Sequence, residues 1–132
     1  MLFPGHRIGQ KMTINGARGF HPRIKDRFDL TVECILRHYR GEWSPLHDTL
    51  QRYANFFDLF KDFRGFIEFF LLQDIIDEEL TSVKFFIPFD DLQRPALPTS
   101  KDEYVPYMIN AIEFINARNR RIQRYWDAKQ LS

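Results

Sequence analysis

The stretch from Thr13 to Arg27 crowds Arg18, His21, Arg23, Lys25 and Arg27 around Gly16 and Gly19, directly ahead of a helical pattern. Glycine lets backbone amides approach a ligand closely. Cations beside a helix N-terminus suit a phosphate, whether on a nucleotide or on a nucleic-acid backbone. The spacing matches neither Gly-x-x-x-x-Gly-Lys-Ser/Thr nor Gly-x-Gly-x-x-Gly. The same arginines could equally hydrogen-bond carbonyls and acidic side chains and hold a loop over the core.

A second basic group closes the chain, where Arg118, Arg120, Arg121 and Arg124 lead to Tyr125 and Trp126. Cations with neighbouring aromatic rings can follow a nucleic-acid backbone and stack on bases. Cations at a helix C-terminus with aromatic rings closing a core leave the same pattern. Arg18, His21, Arg23, Lys25, Arg27, Arg118 and Arg121 are therefore the candidate anion-binding residues, and no residue is assigned a catalytic role.

Cys34 and His38 stand four apart on one helical pattern, the spacing that lets a thiolate and an imidazolium share a face. The helix dipole opposes a thiolate there, which favours a semi-buried thiol beside a helix-end histidine. His6, His21, His38 and His47 are scattered, and Asp77-Glu78-Glu79 and Asp90-Asp91 read as solvated boundaries, so no metal and no cofactor are expected.

The elements that would position these residues are mainly helical. Phe28, Val32, Ile35, Leu36 and Tyr39 form one apolar stripe on a 3.6-residue period, which predicts a helix over 26–40 capped by Asp26 and stopped at Gly41. Ser44-Pro45 predicts a helix over 45–60, and Asp62 caps another over 62–76. The segment Phe63–Leu72 has little polar face and reads as the central, buried helix. Ser100 with Glu103 forms a capping box for a last helix over 101–126, with Tyr104, Met108, Ile112, Ile115, Asn119 and Ile122 along one stripe. Residues 1–25 read as loop with a short strand at Lys11–Asn15, and 82–88 reads as a strand that pairs with it. The expected fold is one mainly α domain over 1–132: about four helices around a Phe-rich core, with a small two-stranded β ribbon.

The composition supports a core of this kind, with fourteen Phe among 132 residues. A net charge of +1 excludes a bulk electrostatic grip on nucleic acid, although both ends are basic and the middle acidic. From Asp58 to Asp91 nine acids face only Lys61, Arg64 and Lys84. The lone Cys34, the lack of an apolar leader and the lack of a long apolar run point to a cytoplasmic protein off the membrane.

Several runs together resemble a family of uncharacterised bacterial proteins. They are Asn15-Gly-Ala-Arg-Gly-Phe-His-Pro-Arg-Ile-Lys-Asp-Arg27 and its continuation to Tyr39, Phe60-Lys-Asp-Phe-Arg-Gly-Phe66, Phe85-Phe-Ile-Pro-Phe-Asp90 and Phe114-Ile-Asn-Ala-Arg-Asn-Arg-Arg-Ile122. The resemblance implies no activity, because that family is of unknown function. It implies a segment upstream of the residues matching Met1–Thr13, and so a shortened form with an edge or an apolar patch left for a partner. The favoured expectation is a non-catalytic module that binds a protein partner or itself. The alternative is anion or nucleic-acid binding, extending to a phosphate-directed enzyme, through the basic Arg/His loop and the last helix.

Overall fold

The computed structural model describes residues 3–131, which form six α-helices, one 3₁₀ turn and no strand among them. Helix α1 spans Ile14–Phe20 and α2 Phe28–Arg40; α3 (His47–Arg52) and α4 (Ala54–Asp58) are short; α5 spans Phe63–Phe69 and α6 Lys101–Leu131.

The expected two-stranded ribbon is absent, and local chemistry says why. Thr13 caps α1 by accepting from the Gly16 N–H at 3.1 Å, which draws Ile14 and Asn15 into a helix. The other half of the ribbon, 82–88, makes one isolated antiparallel bridge, Val83 to Ile76. Its central backbone groups are satisfied by side chains instead of a ladder. The Phe86 N–H donates to Asp29 at 2.9 Å, and the Phe86 carbonyl accepts from the Asn110 amide at 2.7 Å.

Helix α2 is the buried centre: every residue from Asp29 to Leu36 is buried. It ends at Gly41, whose φ of 72° closes the last turn. Its N-cap is Arg27 without a side-chain bond, because Asp26 turns away to pair with Arg18. The predicted 45–60 helix is two short pieces that meet at Tyr53. Lys61 turns through a φ of 73°, and Asp62 then caps α5 by accepting from the Gly65 N–H at 2.8 Å.

Helix α5 is shorter than the pattern suggested, since Leu71 adopts a φ of 56° before a 3₁₀ turn at Gln73–Ile75. Phe63, Phe66 and Ile67 are buried, yet Phe69 is 69% exposed, so this segment is not apolar contact on all sides. The core joins Phe57 and Phe66, which are fully enclosed, to Ile14, Ile24, Ile35, Leu50, Ile67 and Ile75. Phe56, Phe57, Phe60, Phe66 and Phe70 meet edge-on or tilted, with centroids 5.0–5.9 Å apart, the arrangement ring quadrupoles favour.

Helix α6 lies across this body with Tyr107, Ala111 and Phe114 turned inward, and none of its 31 residues is buried. The stripe of Met108, Ile112 and Ile115 read from the sequence faces outward and is exposed.

Candidate binding cleft

A cavity of about 280 Å³ opens between α1, the start of α2, the 82–88 segment and α6. Phe28, Phe86 and Phe114 line it, with Ala111 on its α6 side and Arg18 and Arg118 also in its wall. Phe28 and Phe114 stack at 5.6 Å, and Phe86 lies 6.1 Å from Phe114. The α2 stripe supplies Phe28, and the inward face of α6 supplies Ala111, Phe114 and Arg118 at three- and four-residue intervals.

The two arginines are held differently. Arg18 donates from Nε to the Thr31 hydroxyl at 2.8 Å and from its terminal nitrogens to the Asp26 carboxylate and carbonyl at 3.2 and 2.7 Å. Burial pushes its pKa down, against the pull of Asp26. Arg118 donates to the carbonyls of Phe70 and Leu71 at 2.9 and 3.3 Å, and among the described residues no carboxylate answers its charge.

The other sequence candidates lie elsewhere. Arg27 is buried 3% exposed and forks onto Asp29, which is fully enclosed; it also donates to the Ala96 carbonyl at 2.7 Å and lies over the Tyr107 ring. Arg121 pairs bidentately with Asp74 at 2.9 and 3.2 Å. His21 accepts from the Arg23 N–H at 3.0 Å through Nδ1, and burial, then the Arg23 charge, lowers its pKa. Arg23 borders a separate crevice beside Arg27 and Arg94, and Lys25 is exposed. Of the seven candidates, the cleft brings together Arg18 and Arg118.

Nucleophilic chemistry finds little support at Cys34, which is enclosed and whose thiol is pushed up to about 11, first by burial. Among the described residues no group of three or more His, Cys, Asp or Glu could hold a metal ion. No helix is long and apolar enough to cross a membrane.

A model of a family of unknown function (DUF6994) matches residues 1–122. The chain belongs to that family. No curated protein and no solved structure matches it. The DUF6994 match takes in every residue named in the cleft and stops inside α6, at Ile122. Sequence reasoning missed the aromatic lining of the cleft, and it found the α6 stripe without its outward orientation. Phe28 and Phe114 lie 86 residues apart in the chain, and only the fold makes them neighbours.

Proposed function

We propose that this DUF6994 protein is a non-catalytic interaction module that self-associates through the outward face of α6. The observation that carries the reading is a seam of exposed apolar side chains: Val105, Met108, Ile112, Ile115, Ile122 and Trp126, with Ile109 beside it. Together with Asn119 they follow a strict three-four spacing over three heptads, the pattern of helices that pack on a like helix. Asn119 occupies one seam position, where a polar residue fixes register by meeting its own copy. Ile109, Asn116 and Gln123 flank the seam on one side and carry no charge, so two identical helices meet there without repulsion.

Magnitudes favour a concentration-dependent dimer over a permanent one. Ile112 is 51% exposed and Trp126 60%. Covering half a side chain of this kind contributes roughly 1 kcal/mol, so two copies gain on the order of 10–15 kcal/mol gross. Losing free rotation and translation costs about 4–15 kcal/mol. Within a cell the module is assigned to the cytoplasm on the ground that its one cysteine offers no intrachain disulfide.

Sedimentation velocity across a concentration series tests the reading. The wild type should pass from monomer to dimer, and Ile112→Glu, which removes no core contact, should stay monomeric with its helical content intact. A wild type that remains monomeric at several hundred micromolar would rule self-association out.

A further inference from the structure

We infer that the cleft between α1, α2 and α6 is a binding site for a small carboxylate carried on an aromatic or short aliphatic body. Ile115 of the α6 seam also lines the edge of this cleft, but the site does not rest on self-association. Three observations carry it. The lining is apolar where a ligand body would lie, with Phe28, Phe86, Phe114 and Ala111 around the space. The space, about 280 Å³, admits a ligand of on the order of ten non-hydrogen atoms.

The charge at its edge decides the ligand's sign. Arg118 spends Nε and one terminal nitrogen on the Phe70 and Leu71 carbonyls, and its other terminal nitrogen has no partner among the described residues. An arginine held by carbonyls alone keeps its full positive charge, and a guanidinium beside apolar walls recognises a carboxylate strongly. Arg18 is already answered by Asp26 and Thr31, so it shapes the wall and adds field without needing a new partner. The exposed Asn15 amide, also on the lining, can donate a second hydrogen bond to the same carboxylate. An uncharged ligand would fill the space and leave Arg118 unanswered; a larger polyanion such as nucleic acid would not enter it.

The probe is 3-phenylpropionate, titrated calorimetrically into the full chain, with 3-phenylpropionamide as its uncharged counterpart and octanoate as an aliphatic carboxylate of similar size. Both carboxylates should bind, and the amide should bind at least tenfold more weakly. Arg118→Met should weaken the carboxylates at least tenfold and leave the amide unchanged. Ala111→Leu, which fills the space and leaves both arginines in place, should abolish binding of all three. Repeating the titration on Ile112→Glu separates the cleft from any covering of its mouth by a second copy. If Arg118→Met does not fold, Ala111→Leu alone decides the location. Absence of heat at millimolar carboxylate in both the wild type and Ile112→Glu overturns the inference. So does equal binding of amide and carboxylate, or undiminished binding to Ala111→Leu.

Discussion

Which arginine is a structural strut and which faces a ligand is a matter of single residues, and the sequence could not tell them apart. Arg27 sits in the same basic run as Arg18 and Arg23, yet it is enclosed against Asp29, two places along the chain. Asp29 also accepts the Phe86 N–H, so one carboxylate holds both a guanidinium and the segment that replaces the expected strand. Removing one partner of such a pair leaves an uncompensated buried charge. Asp29→Asn and Arg27→Met should each destabilise the fold by roughly 3–5 kcal/mol in urea denaturation. The double variant should lose less than the sum of the two, because the second change removes a charge already stranded. Additive losses would mean the two side chains act independently. At Cys34 the thiol raised to about 11 predicts slow modification by a thiol reagent in the native protein at pH 8 and rapid modification in denaturant.

Elements were legible in proportion to how far their own residues dictate them. Helix α2 was readable because its apolar period, its cationic last turn and its Gly41 stop all lie in the helix or directly at its end. The Asp62 start of α5 was readable for the same reason. The ribbon was misread because 82–88 has the apolar content of a strand, while the groups that satisfy its backbone, Asp29 and Asn110, lie 57 and 24 residues away. The stripe of α6 was readable but its outward exposure was not, because periodicity identifies an apolar face and not what covers it. Gly65 makes the α5 turn testable. A Cβ at this position would collide with the carbonyl oxygen of Phe60. Gly65→Ala should therefore cost about 1–3 kcal/mol despite alanine's higher helix propensity. Thermal unfolding at matched concentration reads the loss; a stabilised variant would show that the turn after Phe60 yields easily.

Across the whole molecule the basic ends and the acidic middle meet in only some places. Arg121 reaches Asp74 from α6, whereas Arg18 and Arg27 find carboxylates within their own stretch. Net charge therefore does little to fix stability against pH, and a few buried titrating groups decide it. His38 packs 4.8 Å from the Phe57 ring with its Nδ1 buried and without a partner. Burial lowers its pKa from 6.5, Asp58 pulls it back up, and His47 pushes it further down. Burial, then Arg23, lowers His21 in the same direction. A histidine whose folded pKa is depressed contributes stability above its unfolded value, and that stability is lost as pH falls below about 6.5. Glu33 has the opposite sign: burial raises its pKa above 4.5 despite Arg37, so the fold gains as pH falls toward that carboxyl's titration. The two windows overlap only at the acid end. The urea midpoint should therefore drop as pH falls from about 7.5 through about 6.5, and the drop should level off at more acid pH as Glu33 takes up its proton. His38→Phe keeps the ring packing and removes the titration, so it should abolish a large part of that drop. A midpoint independent of pH over this range, or a slope unchanged in His38→Phe, would show that the imidazole is solvated in the folded protein.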